Sequence, residues 1–130
     1  MNKETRNWLA MVEYDLVTAE QMFKTGRYVY VVFMCHLALE KALKAIVSQE
    51  TKKAPPKTHD LIFLVNLAKI NVEQDLLDFV GMLNNVSVVT RYPEDLSRLV
   101  LSYPKQVTQE YLRKTREVIL WIKKDSRLKK

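Results

Sequence analysis

The segment RYVYVVFMCHLALEKALKAIVSQE, residues 27–50, contains the strongest helical pattern of this sequence. Its apolar residues recur at helical spacing, as expected for a stripe facing a core: Tyr28, Val32, Cys35, Leu39, Ala42, Leu43 and Ile46. In the first half the opposite face is also apolar, through Tyr30, Met34 and Leu37. In the second half that face continues with polar residues: Lys41, Lys44 and Ser48. The segment predicts one long helix, apolar all round at first and amphipathic later.

The sequence before this segment predicts another long helix over 6–24. Its apolar positions share one face: Trp8, Val12, Leu16, Ala19 and Phe23. Gly26 follows, and it suits the left-handed position that ends a helix. The two helices are therefore expected to be joined by a tight turn.

The sequence after residue 50 predicts shorter elements. Pro55 and Pro56 make a stiff linker, and Thr58 is expected to cap a short helix that ends near Lys69. A further helix is expected over 72–83. NNVSVVTRYP, residues 84–93, has no helical period and predicts a loop with an extended part.

The C-terminal part predicts a turn of helix at 94–101 and a last long helix with Pro104 at its first position. The buried stripe of that helix is expected to be Val107, Tyr111, Thr115, Val118 and Ile122. Two glycines and four prolines in 130 residues leave few connections. The sequence therefore predicts one all-α domain over 1–130, an up-and-down bundle of four or five helices.

Several classes of protein are excluded by what the sequence lacks. The single Cys35 rules out a disulfide framework and suits a reducing compartment. The start MNKETRNW has no apolar core of a signal peptide, and the longest apolar run, 28–35, is too short for a membrane span. We therefore expect a cytoplasmic protein that does not enter a membrane. Walker, dinucleotide, zinc and di-iron motifs are missing, so neither a metal nor a cofactor is predicted.

The positive charge is concentrated at the C-terminus. Residues 1–104 hold 12 Lys/Arg and 12 Asp/Glu, whereas residues 105–130 hold 9 and 3. On the last helix the basic residues share one face: Lys105, Arg113, Arg116, Lys123, Lys124 and Arg127, with 124–130 as a basic tail. This face is expected either to be merely solvated or to contact nucleic-acid backbone through Arg113, Arg116, Lys123 and Lys124.

Three motifs, in this order, resemble the HEPN domain family. They are GRYVYVVFMCHLALEKALKAIV (26–47), PPKTHDL (55–61) and RYP (91–93), and the likeness extends from about Trp8 to Lys123. The resemblance implies a compact up-and-down helical bundle, usually dimeric, in proteins linked to nucleotide or RNA chemistry. It also implies a small nucleotidyltransferase as a partner, often in a toxin–antitoxin pair, and a fold similar to the C-terminal domain of aminoglycoside nucleotidyltransferases.

One departure from the family pattern bears on activity. HEPN ribonucleases carry an Arg followed, after four to six arbitrary residues, by a His, and no Arg here has a His at that spacing. Ribonuclease activity is therefore not implied by the motif. The sequence favours a protein that binds nucleotide or RNA with a nucleotidyltransferase partner. The alternatives are a metal-independent ribonuclease using His59 and Arg91, and a helical interaction module for an acidic protein.

His59 is the central residue of the predicted site. At a helix start the dipole favours a neutral imidazole, which can accept a hydrogen bond from a ligand or act as a general base. Lys57 and free N–H groups at the same helix start could attract a phosphate. The structural alternative is that His59 only packs beside Asp60 and orients the loop.

Two further groups complete the predicted site. Arg91 and Tyr92 offer a phosphate clamp and a ring for stacking on a base, so the nucleotide or RNA site is expected to comprise Lys57, His59, Asp60, Arg91 and Tyr92. The alternative for Arg91 is an ion pair with Asp60 or Glu94. His36, Glu40 and Lys44 form one ridge of the second helix, which either contributes to the pocket or is a polar seam beside the core.

The apolar outer face of the second helix predicts association. Tyr30, Met34 and Leu37 lie opposite the core stripe, where a surface helix should be polar. We therefore expect a homodimer, or an obligate contact with a partner, through this face. Other helices of the same bundle could cover it instead.

Overall fold

The chain, in a computed structural model, is described over residues 1–129, except for the side chains of Ser87, Val88, Thr90 and Arg91. Within that range it forms six α-helices and one 3-10 turn. The helices are α1 (Lys3–Lys24), α2 (Tyr28–Thr51), α3 (Leu61–Ala68), α4 (Gln74–Arg91), α5 (Leu96–Ser102) and α6 (Lys105–Lys123), with the 3-10 turn at Ser126–Leu128. The predicted all-α bundle is confirmed, with one helix more than expected because the turn at 94–101 is the full helix α5.

The connection between α1 and α2 follows from one glycine. Gly26 adopts a φ of 76°, which a side chain would disfavour. The N–H of Arg27 donates to the carbonyl of Met22 at 2.8 Å, and the N–H of Gly26 donates to the carbonyl of Phe23 at 3.2 Å. This pair of bonds is a Schellman motif. It turns the chain back so that α1 packs along α2.

Helix α2 is the centre of the bundle. It contacts α1, α3, α4, α5, α6 and the 3-10 turn. Its predicted core stripe is buried from Val32 to Ile46, while Tyr28, in the first turn, is half-buried. Burial on several sides is why the segment 27–50 is so rich in apolar residues.

The polar second half of α2 differs from the prediction. An amphipathic end with Lys44 and Ser48 facing solvent is expected from the sequence, but these residues are only 6% and 1% exposed. Polar side chains here find partners inside the protein: the Ser48 hydroxyl lies 3.2 Å from that of Thr5, and Lys41 pairs with buried Asp15 at 2.7 Å. Internal pairing replaces the water that these side chains would otherwise need.

Helix α4 also corrects the prediction. Residues 84–91 continue the helix to Arg91 instead of forming a loop. The β-branched residues in NNVSVV lower helix propensity by a few tenths of a kcal/mol each, which packing easily outweighs. Val86 packs against the core beyond the fully buried Leu83. The chain leaves the helix at Tyr92–Pro93, as expected before a proline.

Helix α6 closes the bundle against α2. Pro104 is its N-cap, one position before the predicted place. Tyr111, Thr115, Val118 and Ile122 are buried as predicted, whereas Val107 is 40% exposed and Thr108 takes its place. Burial raises the pKa of the Cys35 thiol to about 11, in agreement with its role as a core residue.

The C-terminal segment folds back onto the bundle. Leu128, in the 3-10 turn, is 6% exposed, and the turn contacts α2. Arg127 pairs with Asp125 at 2.9 Å and with Glu50 at 3.3 Å. Within residues 1–129, no helix combines the length and the apolar character that crossing a bilayer requires.

Candidate functional site

A ridge of ionisable side chains is buried on α2. His36, Glu40 and Lys44 follow one another at intervals of four residues and therefore share one helix face. Their exposed fractions are 0%, 4% and 6%. Charged residues are rarely so buried unless they are paired, so their partners define what the ridge does.

Glu40 joins this ridge to His59. Its Oε1 lies 2.8 Å from Nδ1 of His59, and its Oε2 accepts a hydrogen bond from Nζ of Lys44 at 3.0 Å. Nδ1 of His36 lies 3.9 Å from the same Oε1. We call His36, Glu40, Lys44 and His59 the polar cluster. The ridge thus lies beside His59.

The charges of the cluster determine the tautomer of His59. The Lys44 ammonium donates to Glu40, so Glu40 is a carboxylate and can only accept hydrogen bonds. The contact at 2.8 Å then places a proton on Nδ1 of His59. When the ring is neutral, its other nitrogen, Nε2, is therefore a hydrogen-bond acceptor. Because 63% of the His59 side chain is exposed, this nitrogen is accessible to a ligand.

Lys44 acts inside the protein. Its Nζ lies 5.7 Å from the ring centroid of Trp8, and its side chain is almost wholly buried. The aromatic face and the carboxylate together compensate its charge. Lys44 therefore pairs with Glu40 inside the protein and is almost closed to solvent.

The loop that carries His59 is fixed by Asp60. Oδ1 of Asp60 accepts the N–H groups of Ile62 and Phe63, both at 3.1 Å, and the Nδ2 of Asn84 at 3.2 Å. Asn84 in turn accepts the N–H of Leu61 at 2.8 Å. Asp60 is therefore the N-cap of α3 and ties that helix to α4.

This capping corrects two expectations. Thr58 is the N-cap expected from the sequence, but its hydroxyl only accepts the N–H of Asp60, at 3.2 Å, and supports the turn before the helix. His59 accordingly precedes α3 instead of lying in its first turn. The predicted phosphate site at free N–H groups is wrong, since Leu61, Ile62 and Phe63 all donate within the protein.

The remaining predicted ligand contacts lie in two places. Lys57 is exposed two residues before His59. Tyr92, 77% exposed, lines a cleft between the start of α2 and α5, together with Tyr30 and Phe33. The side chain of Arg91 lies outside the part of the chain that the structure describes. Two predictions that depend on it therefore stay predictions: a pocket shared with His59, and an ion pair with Asp60 or Glu94.

The basic face of α6 is largely paired. Arg113 contacts Glu110 and Glu117 on its own helix, and its hydrogen bond holds the pKa of Glu110 below the usual range. Arg116 pairs with Glu20, and Lys123 with Glu13, both on α1. The carboxylates thus neutralise much of the field that the sequence suggested. Lys124 is exposed.

Two members of the site were missed by reasoning from the sequence. Asn84 fixes the start of α3, but an asparagine in a segment without a helical period gives no sign of it. Trp8 covers Lys44, but its position on an amphipathic helix indicates only core packing. Among the residues that the structure describes, no three His, Cys, Asp or Glu side chains are grouped in a way that could hold a metal ion.

Comparison with known proteins agrees with this architecture. The model of the HEPN domain family matches residues 5–125. TT1696 from Thermus thermophilus has a similar structure, with 21% identity, a TM-score of 0.76 and coverage of 95% of this chain and 98% of its own. ST0689, described as an archaeal HEPN homologue, has a similar structure with 20% identity and a TM-score of 0.73. The match covers 95% of this chain and 97% of ST0689. No curated protein matches the chain.

The family match covers nearly the whole chain, and the two similar structures show the same fold over almost their full lengths. The chain belongs to the HEPN domain family. Membership supports a role in nucleotide or RNA biology, or in protein interaction.

Proposed function

We propose that this HEPN domain protein binds RNA or a nucleotide at His59 and Lys57, and that it works with a nucleotidyltransferase partner. The observation that carries the proposal is the hydrogen bond between buried Glu40 and exposed His59. A carboxylate held in the core by Lys44 fixes the orientation of an imidazole whose free nitrogen reaches solvent. Burying these charges costs free energy of desolvation, and the stability of the fold alone does not require such an arrangement.

The chemistry of the two ligand contacts is complementary. Nε2 of neutral His59 accepts a hydrogen bond, and the 2′-hydroxyl of a ribose is a suitable donor. The ammonium of Lys57, exposed on the same loop, attracts a phosphate. A ribose and its phosphate would therefore be recognised together, which favours RNA over DNA.

The partner part of the proposal draws on the family and on the apolar surface of α2. Tyr30 is 54% exposed in the single chain, while Met34 and Leu37 are partly buried. An exposed ring at the start of an otherwise buried helix suits contact with a second copy or with a nucleotidyltransferase, as in a toxin–antitoxin pair. Sedimentation at tens of micromolar tests the homodimer, and a monomer would contradict it.

The binding site is tested by fluorescence anisotropy with a short single-stranded RNA. His59→Asn is the informative variant, because Nδ2 of asparagine can replace Nδ1–H as the donor to Glu40 but nothing replaces Nε2. We expect affinity to fall by about 1–3 kcal/mol with the free energy of unfolding nearly unchanged. Lys57→Ala should weaken binding more at low salt than Lys53→Ala, a control on the same linker.

Unchanged affinity in both His59→Asn and Lys57→Ala would leave the cluster with a structural role only. The partner is tested separately, by affinity purification from native lysate with mass spectrometry of bound proteins and nucleotides. Recovery of a small nucleotidyltransferase is expected. Recovery of the chain alone, at every salt concentration, would contradict the proposed association with a nucleotidyltransferase.

A second function is favoured by the same hydrogen bond. A carboxylate that orients an imidazole also makes it a suitable general base, so His59 could take the proton of a ribose 2′-hydroxyl without a metal. The 2′-oxygen would then attack the adjacent phosphorus while the P–O5′ bond breaks, and the leaving 5′-oxygen would take a proton from water. Incubation of RNA with the protein in EDTA tests this. Products that end in a cyclic phosphate, lost in His59→Asn, are expected if the ring is catalytic.

A further inference from the structure

A cleft of about 520 Å³ lies between the first turns of α2 and helix α5, at the other end of α2 from Lys44. Its volume falls within the range of roughly 300–1,000 Å³ that small-molecule sites occupy. The side chains that matter here are Arg27, Tyr30, Phe33, Tyr92, Leu96 and Val100. The cleft is separate from His59 and Lys57, to which the proposed function assigns the ribose and phosphate.

The lining of the cleft combines aromatic and aliphatic side chains. Tyr30 and Tyr92 are 54% and 77% exposed, so their rings are accessible from solvent. Leu96 and Val100 of α5 are 60% and 51% exposed. Rings with an accessible face, beside an exposed guanidinium at Arg27, are the groups on which single-stranded bases stack.

The register of α2 connects this cleft to the polar cluster. Phe33, Glu40 and Lys44 are separated by seven and then four residues, and at 3.6 residues per turn they lie on one face of the helix. At about 1.5 Å per residue, Phe33 and Glu40 are roughly 10 Å apart along the axis. A strand of several nucleotides is longer than this separation along the helix.

From this geometry we infer that the cleft is a base-binding subsite for single-stranded RNA. A base stacks on Tyr92 in the cleft, and the same strand continues to the loop of His59, where a further ribose and phosphate contact His59 and Lys57. The inference rests on the proposed function and extends it. The ligand is a strand of at least two nucleotides, since a mononucleotide would fill only one of the two subsites.

The experiment measures the affinity of an oligoadenylate of about eight nucleotides and of an abasic strand of the same length and charge. Tyr92→Ser should weaken oligoadenylate binding roughly five- to 150-fold, the usual effect of losing one stacked base. Tyr92→Phe keeps the ring and should bind as the unmodified protein does. Tyr14→Ser is the matched control, because Tyr14 is 76% exposed on α1, outside the cleft.

The abasic strand separates stacking from charge. It should bind the unmodified protein more weakly than oligoadenylate and should be insensitive to Tyr92→Ser. Equal losses with both strands would overturn the base subsite. Tyr92 is largely exposed, so Tyr92→Ser should keep the fold, which circular dichroism checks.

Two other results would also overturn the inference. Unchanged binding in Tyr92→Ser and Tyr30→Ser, together with a loss in His59→Asn, would leave the proposed function intact without the cleft. If Tyr30→Ser and Tyr92→Ser turned a dimer into monomers with the affinity per chain unchanged, the cleft would be a contact between copies. Absence of any RNA binding by the unmodified protein would reject both the inference and the RNA part of the proposed function.

Discussion

Two charged regions of this bundle use the same chemical groups in opposite environments. On α2, Glu40 and Lys44 form an ion pair at 3.0 Å whose side chains are 5% and 8% exposed. On α6, Arg116 pairs with Glu20 of α1, and both side chains are about 40% exposed. In the first region the charges have lost their water, whereas in the second they keep much of it.

The difference determines what each region can do. A buried pair has one stable geometry, and it can hold a third group such as His59 in a fixed place. An exposed pair is screened by salt and contributes little, with a median near 0–1 kcal/mol. A fixed site is therefore expected around Glu40, and an adaptable, solvated surface on α6.

The largest effect is expected when the buried pair is broken on one side. Glu40→Ala leaves the Lys44 ammonium in the core without its carboxylate, next to Trp8. We expect a loss of about 3–5 kcal/mol in the free energy of unfolding, as for other buried charges that lose their partner. Urea denaturation followed by circular dichroism measures it.

The matched control removes both charges. In the double variant Glu40→Met and Lys44→Met, similar volume is kept and no charge remains uncompensated. Its loss should be much smaller than that of Glu40→Ala, because replacing a whole buried pair is often neutral. A double variant as unstable as the single one would mean that packing, not charge, dominates here.

An intermediate effect is expected at the exposed turn that presents His59. Asp60→Ala removes the cap of α3 and the bond to Asn84, so we expect a loss of about 1–2 kcal/mol in unfolding free energy. Thr58→Ala is the control, because the Thr58 side chain accepts one hydrogen bond whereas that of Asp60 accepts three. Equal losses in the two variants would show that Asp60 is not the dominant cap.

The same contrast explains how far the sequence could be read. The helical periods of 6–24 and 27–50 predicted α1, α2 and their tight turn, because apolar spacing and a left-handed glycine are local signals. The ridge of His36, Glu40 and Lys44 was also visible as spacing. The burial of the ridge could not be predicted, because His59 and Trp8, which contact it, come from other parts of the chain.

The errors have the same origin. Residues 84–91 lack a helical period, yet tertiary packing of Val86 extends α4 through them. Thr58 and Asp60 are both good caps by composition, and the choice of Asp60 depends on Asn84, 24 residues later. The basic face of α6 is shorter than expected, because Lys124 is the C-cap of the helix and Arg127 belongs to the 3-10 turn. Its carboxylate partners Glu13 and Glu20 lie on α1 and could not be assigned from the sequence.

A smaller effect is expected for the exposed pair between α6 and α1. A double-mutant cycle with Arg116→Ala and Glu20→Ala should give a coupling free energy of about 0.2–1 kcal/mol. The coupling should fall further in 0.5 M salt, where charges are screened over roughly 4–5 Å. A coupling comparable with that of Glu40 and Lys44 would remove the distinction between the two regions.

The smallest effect is expected from the basic face in RNA binding. If Arg113, Arg116, Lys123 and Lys124 each contacted a phosphate, neutralising all four would flatten the log–log salt slope by about 2.8, at ~0.7 per phosphate on a single strand. Three of the four already pair with glutamates, so a phosphate would have to displace a carboxylate and would release few counterions. We therefore expect the quadruple alanine variant to change the slope by less than about one, whereas Lys57→Ala alone should change it by about 0.7.

Anisotropy titrations between low and moderate salt measure both slopes. A change near 2.8 in the quadruple variant would place the RNA backbone on α6 and away from the loop of His59.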